Sequence, residues 1–306
     1  MPFTFGDRES RSSTPLFKAQ CTHGADSGGA SGWEPDCHKS NRNEQQQRRD
    51  KRRWIQPSNN PPVVGAYVVD ENNGTLTPVS GQPFTMNTPG AEPVVEPSGN
   101  FLYLFGDHTI DALRIDQNAG ALSPVPGFPI TVRPPQFSPG KLPITLTGLI
   151  DPVGDFLFAV DTANSGGVWV YRIEKTTGAL LLQAGSPFST GSPSLAGQVD
   201  PTGRFIYLVD WYFDKIGGWA INRASGALTP VPGSPVTPPD WTPSGPMGGN
   251  LVIDPSGKFV YFTDGNSVNS NILVVGYGMD QNNGSLSPLQ NSQTATDFSG
   301  QLVITH

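Results

Sequence analysis

Four short clusters of polar residues stand out because each follows an apolar stretch: Asp107-His108, Asp161 with Asn164, Asp210-Trp211-Tyr212, and Asp264 with Asn266. The aspartates 107, 161, 210 and 264 are 54, 49 and 54 residues apart. Arg133, Asp240 and Trp241 lie in loops between them. A rim of carboxylates with one histidine, one arginine and several aromatics suits a sugar or lactone, since sugars stack on indole and hydrogen-bond to carboxylates. Opening a lactone needs a base to activate water and a cation or N–H cluster to hold the developing oxyanion. His108 or Asp210, with Arg133, has the right chemistry for those catalytic roles. Asp107, Asp161, Asn164, Trp211, Tyr212, Asp240, Trp241, Asp264 and Asn266 would then line the ligand-binding rim. Plainer roles compete. His108 could be an exposed loop residue, each repeated aspartate could cap the turn it opens, and Arg133 sits in the proline-rich string RPPQFSPGKLP, where it could simply be solvated. No D-x-D-x-D-G loop accompanies the Asp and Asn pairs, so neither a calcium site nor any other metal or cofactor is expected here.

The elements that must position these residues are repeats. One turn reads EPSGNFLYLF at Glu96, DPVGDFLFAVD at Asp151, DPTGRFIYLVD at Asp200 and DPSGKFVYFTD at Asp254. In each, the acidic side chain can bond downstream backbone, proline presets φ, and glycine tolerates positive φ, so the chain reverses where an aromatic strand begins. A second turn reads DENNGTL, DQNAGAL, EKTTGAL, NRASGAL and DQNNGSL, starting at residues 70, 116, 174, 222 and 280. It is a second hairpin signal. After it come TPVSGQPF, SPVPGFPI, LQAGSPF, TPVPGSPV and SPLQNSQT, whose prolines suit an outer edge strand. The glycines of the first turn, Gly99, Gly154, Gly203 and Gly257, are spaced by 55, 49 and 54 residues. That period fits an all-β β-propeller of four-stranded antiparallel blades, with both turns on one face of the disc and the polar clusters on the other. Tyr67, Tyr103, Phe158, Tyr207 and Tyr261 recur as bulky strand residues expected to pack between blades.

These strings resemble the lactonase-family β-propellers, the group that holds 6-phosphogluconolactonase and the YVTN-type bacterial surface propellers. The resemblance rests on D-P-[ST]-G-[KR]-F-[IV]-Y and G-[AS]-L-[ST]-P-[VL], and it covers about 240 residues. It implies the propeller fold and a sugar-lactone hydrolase. A non-catalytic ligand- or protein-binding scaffold is the alternative, because the repeated positions are turns and core and no coherent catalytic set repeats. Such relatives carry seven blades, whereas this repeat supplies about five. The chain enters at a third strand, GAYVVDENNG, and its last residues, GQLVITH, look like a first strand. A fragment of a longer propeller is therefore expected, with blade one completed, if at all, by residues near Trp54. Exposed edges and apolar faces would then favour self-association.

Composition agrees with many short strands and little helix: 306 residues carry 36 Gly and 31 Pro. The net charge of −7 hides an asymmetry. Residues 1–60 hold ten basic and seven acidic side chains, which leaves nine basic and nineteen acidic in 61–306, a net of −10. An acidic propeller lacks the footprint that nucleic acid requires. Residues 1–60, with the run NRNEQQQRRDKRR, read as a disordered polar and basic tail, and 61–306 as the propeller domain. Cys21-x-His23 and Cys37-His38 fall in that tail and match no standard zinc finger spacing. No secretory signal or apolar run of membrane-spanning length is visible, so the sequence reads as cytoplasmic as written, with a periplasmic or extracellular location expected if a leader precedes it.

Overall fold

The structure, a computed structural model, describes residues 18–22, 63–70, 72–88, 92–106, 108–132, 146–162, 166–210, 215–238, 250–265 and 272–296. Among them there is no helix, and the strands form five antiparallel sheets. In sheet one, β1 (Lys18–Thr22), β2 (Val63–Val69) and β3 (Leu76–Pro78) lie in that order, with β4 (Phe84–Thr85) also on β2. Sheet two runs β5 (Glu92–Val95), β6 (Phe101–Phe105), β7 (Thr109–Ile115), β8 (Leu122–Pro124), with β9 (Ile130–Thr131) on β7. Sheet three is β10 (Leu146–Ile150), β11 (Phe156–Asp161), β12 (Val168–Ile173) and β13 (Leu180–Leu182). Sheet four is β14 (Ser194–Val199), β15 (Phe205–Asp210), β16 (Ile216–Ile221) and β17 (Leu228–Pro230). Sheet five is β18 (Leu251–Ile253), β19 (Phe259–Gly265), β20 (Ile272–Met279) and β21 (Leu286–Thr296). These are five propeller blades, and the inner strands β5, β10, β14 and β18 pack in sequence along the axis.

The core is the set of seams between blades, and strand alternation builds it. Successive side chains of a strand point to opposite faces. Phe101, Tyr103 and Phe105 of β6 therefore join Leu157 and Ala159 of β11 in one cluster, while Leu102 and Leu104 join Val64 and Met86 of blade one in another. Phe156, Phe158 and Val160 meet Ile206, Leu208 and Trp219, and Phe205, Tyr207 and Val209 meet Val260 and Phe262. A blade buried on both faces needs apolar residues at every position, which is why these second strands read as continuous apolar runs.

Both turns lie on one face, as expected, and the structure shows how they are tied. In blades two to five the residue after the Asp, Glu or Asn that opens the second turn donates to a first-turn carbonyl: Gln117 to Gly99, Lys175 to Val153, Arg223 to Gly203 and Gln281 to Gly257. The outer strands carry the string G-x-P, with glycine at positive φ and a cis proline at Pro83, Pro129, Pro187 and Pro235. There the strand breaks and rejoins the sheet through short pairings such as Val64 with Phe84 and Ile216 with Val236. Blade five has Asn291 and Gln293 where the others have that glycine and proline, and β21 runs on for 11 residues with only a register shift opposite Val275 and Tyr277.

Blade one differs from the sequence expectation. Its extra strand is β1, Cys21 pairing with Val64 and Lys18 with Tyr67, rather than residues near Trp54, which lie outside the described residues. That strand falls inside the stretch read as tail; the rest of 1–62 and the string GQLVITH also lie outside the described residues.

Candidate functional site

The face opposite the turns is where second strands end and third strands begin. In blade four, β15 ends at Asp210 and β16 starts at Ile216, and the Asp210 N–H donates to the Lys215 carbonyl at 2.9 Å. The strand alternation that sends Leu208 toward blade three also sends Asp210 that way. Across the sheet Asp210 pairs with Ser194 at the start of β14, next to a register shift between Ser194 and Ala196. That irregularity re-aims the entering chain, a common use of bulges near sites. The connection from blade three thereby brings the Ser192 hydroxyl to Asp210, donating to Oδ2, while the Thr190 hydroxyl donates to the Ser192 carbonyl at 2.7 Å.

These groups line a cavity of about 60 Å³ with Lys215, Ser194 and Trp219. It is roomy enough for ordered water or for one polar edge of a sugar ring. Its walls have specific causes. Gly166 comes so close that a Cβ there would lie 1.9 Å from the Ser192 carbonyl oxygen. Gly217 leaves room for the Trp219 indole, whose Cη2 would be 2.3 Å from a Cβ at 217. A carboxylate held by a hydroxyl, an ammonium side chain, further hydroxyls and an indole form a set that can bind a polyol and move a proton at its edge.

Of the other residues singled out from sequence, Asp161 ends β11 in the corresponding place in blade three, buried, with its N–H donating to Gly167. His108 is half-buried in the blade-two connection, where its carbonyl accepts from Val132. His108 and Asp210 share a face but stand on blades two and four, with blade three between them. Asp264 is described only as a backbone position in β19 opposite Leu273. Asp107, Arg133, Asn164, Trp211, Tyr212, Asp240, Trp241 and Asn266 lie outside the described residues. Sequence reading missed Ser192, Thr190, Lys215 and Trp219. It also missed Asp111, a buried carboxylate on β7 that accepts from the Asn87 N–H in the blade one to blade two connection. In blade two glycine 106 occupies the position of the strand-ending aspartates, and a Cβ there would meet Thr88. Among the described residues no three His, Cys, Asp or Glu side chains gather as metal ligands, and no helix is long and apolar enough to cross a membrane.

Residues 147–306 match the model of a known family, described as lactonase, 7-bladed beta-propeller. The chain belongs to that lactonase family. No curated protein matches the sequence. Among solved structures, the periplasmic gluconolactonase of Pseudomonas aeruginosa superposes with a TM-score of 0.62 at 18% identity, covering 80% of this chain and 67% of that one. A protein from Lactobacillus plantarum gives 0.56 at 17% identity, covering 77% and 66%. A functionally unknown protein from Desulfotomaculum acetoxidans gives 0.52 at 16%, covering 74% and 65%. At such identities the likeness is one of fold, and this lactonase-family chain spans about two thirds of the length of those three proteins.

Proposed function

We propose that this lactonase-family propeller binds a sugar lactone on the loop face and hydrolyses it, as a 6-phosphogluconolactonase-like enzyme would. The reading is carried by Asp210, hydrogen-bonded to Ser192 beside Lys215 in a cavity walled by Trp219. Asp210 takes a proton from water as the water oxygen adds to the lactone carbonyl carbon. The Lys215 ammonium faces the resulting oxyanion, and collapse of the adduct breaks the ring C–O bond, with the ring oxygen taking up a proton. His108 and Arg133, from blade two and the loop after it, remain the other catalytic candidates of this reading. Because Lys215 is the cationic side chain lining the cavity, a neutral aldonolactone is preferred over its 6-phosphate.

The test is proton release from glucono-1,5-lactone and 6-phosphogluconolactone, followed against the spontaneous rate. Turnover of the neutral lactone, reduced about 100-fold or more in Asp210→Asn, supports the proposal. No rate above the spontaneous one removes the hydrolase, and lactone-induced thermal stabilisation without turnover points instead to a binding propeller.

A further inference from the structure

A serine stands directly opposite Asp210 with nothing in the fold to bond. Ser194 opens β14 and pairs with Asp210 across the sheet, so both side chains stand on the face toward blade three, with Cβ atoms about 5 Å apart. Ser194 is 3% exposed and lines the same cavity as Asp210 and Lys215. Among the described residues no hydrogen-bond partner meets its hydroxyl, which is not sealed in the core but opens onto the cavity. The other hydroxyls of this wall each have a bond within the protein: Thr190 donates to the Ser192 carbonyl, Ser192 donates to Asp210, and Ser234 accepts from the Gly218 N–H.

Blade three shows that the fold asks for no hydroxyl at this place. There the strand-ending aspartate is Asp161, and the residue opposite it is Leu146, buried in the apolar cluster that holds Leu157 and Ala159. A leucine fills the seam. A serine in the same position leaves it open and sets a polar group in its wall, which costs stability unless something accepts the proton. Packing therefore gives no reason for Ser194, and the cavity beside it does.

We propose that the Ser194 hydroxyl donates to the carbonyl oxygen of a bound lactone and, once water has added, to the oxyanion formed from it. The inference rests on the hydrolase reading of this cavity and adds a second donor to it. Asp210 and Ser194 face each other across one strand pair, which sets base and donor on two sides of one reacting carbonyl. Water loses a proton to Asp210 as its oxygen bonds to the carbonyl carbon, and the charge that collects on the former carbonyl oxygen is shared between the Ser194 O–H and the Lys215 ammonium. Ser194 keeps its proton throughout. Collapse of the adduct restores the carbonyl as the ring C–O bond breaks, and the ring oxygen takes the proton that Asp210 received. A donor with no partner inside the protein is in place before that charge develops, so little has to rearrange when it does.

Ser194→Ala separates this role from a structural one. Turnover of glucono-1,5-lactone should fall about 100-fold while KM rises at most about threefold, as loss of one oxyanion donor requires. The Tm should stay level or rise, because no bond within the protein is broken, and the pH–rate profile should keep its shape. Two ring compounds read the same contact without turnover: glucono-1,5-lactam keeps the carbonyl, whereas 1,5-anhydroglucitol has the ring and its hydroxyls but no carbonyl. Calorimetric titration should show Ser194→Ala weakening the lactam about threefold and leaving anhydroglucitol unchanged. Wild-type turnover that survives in Ser194→Ala overturns the inference and leaves the hydrolase reading intact, as does a fall in Tm with equal loss of both ring compounds. If the wild-type protein turns over no lactone, the hydrolase reading falls and the ring compounds decide for Ser194 alone: selective loss of the lactam keeps it as a carbonyl donor, and an equal response to both overturns it.

Discussion

Asp200 and Asp210 bound the same strand of blade four, and their surroundings are opposite in kind. Asp200, on the turn face, is 1% exposed and accepts from the N–H groups of Thr202, Arg204 and Phe205 and from the Thr202 hydroxyl. Its lone pairs are occupied by backbone, so it can fix a turn but cannot take a proton from a substrate. Asp210, on the loop face, meets a side-chain hydroxyl at the wall of a cavity that Lys215 also lines. In blade three Asp151, also on the turn face, accepts from the Phe156 N–H and forms a 2.6 Å ion pair with Arg223 of blade four, a second carboxylate engaged in holding a turn. A repeated carboxylate is thus a poor sign of chemistry by itself. Whether its partners are backbone donors or side chains around a space is what separates structural acid from candidate base.

The strongest way to break that contrast is to remove each carboxylate in turn. Asp200→Ala strands several backbone N–H groups in a buried turn and should cost about 3 kcal/mol or more. Asp210→Asn keeps size and shape, and should change stability by less than about 0.5 kcal/mol while abolishing lactone turnover. Denaturant midpoints at fixed m-value measure the first, initial rates the second. Equal stability losses would erase the distinction between the faces.

Glycines sharpen it next. Gly226 has φ of 71° and would place a Cβ 2.8 Å from the Phe156 ring, so Gly226→Ala should cost about 2 kcal/mol with no effect on ligand binding beyond that loss. Gly166, at φ of 69°, presses on the Ser192 carbonyl instead. Gly166→Ala should push the Ser192 main chain and reshape the cavity wall, weakening lactone binding about tenfold, read as a rise in KM, in addition to the fall in turnover that follows when the Ser192 hydroxyl leaves Asp210. A normal KM in a folded Gly166→Ala protein would mean that the cavity wall is not part of the site.

The turn face was largely legible in the amino-acid string, and the loop face was not. The Asp-Pro-x-Gly turns and the second turns, where Asp, Glu or Asn stands four residues before glycine, carry their geometry locally, since each turn is closed by donors within five residues, such as Phe156 to Asp151. Apolar runs such as FIYLVD announced strands buried on both sides, and the period gave the blades. The cavity depends on residues that meet only after folding: Ser192 and Asp210 are 18 positions apart, joined by a bulge that no local rule marks. Asp210 itself was found because it ends a repeated strand. Lys215 and Thr190 carry no pattern at all, and Trp219 hid among core aromatics. The blade-one strand was missed for the same reason, since β1 pairs with β2 across more than forty residues.

Acid should expose the turn face more gently than mutation. Hydrogen bonds from the Ala119 and Asn118 N–H groups hold Asp116 below its ordinary value of 3.8, and the Thr177 hydroxyl and N–H, with Thr176, hold Glu174 below 4.5. For Asp254 burial pulls upward, but bonds from Ser256, Phe259 and Lys258 outweigh it and the net direction is down. A carboxyl lowered on folding adds stability that is complete above its unfolded value and fades as pH falls through the folded one. The Tm should therefore hold from pH 7 to about 5 and drop below about 4, and Asp116→Asn should flatten part of that drop.

The smallest effect expected on stability is also the one that discriminates best for function. Ser192→Ala removes one hydroxyl from the cavity wall, and a single hydrogen bond contributes about 0.5–1.5 kcal/mol, up to about 3 when the acceptor is charged. Its partner Asp210 faces a cavity that admits water, so the lost donor is replaced and the stability change should fall under that bound. If Asp210 acts on a bound lactone, however, the hydroxyl fixes the direction of the carboxylate toward the attacking water, and a water that drifts does not do so. Turnover should then fall by roughly tenfold with KM little changed, because positioning in the transition state is lost and ground-state contacts are not. A rate equal to wild type would show that Ser192 merely satisfies the carboxylate, as Thr202 does for Asp200, and would move the loop face of blade four into the same class as the turns.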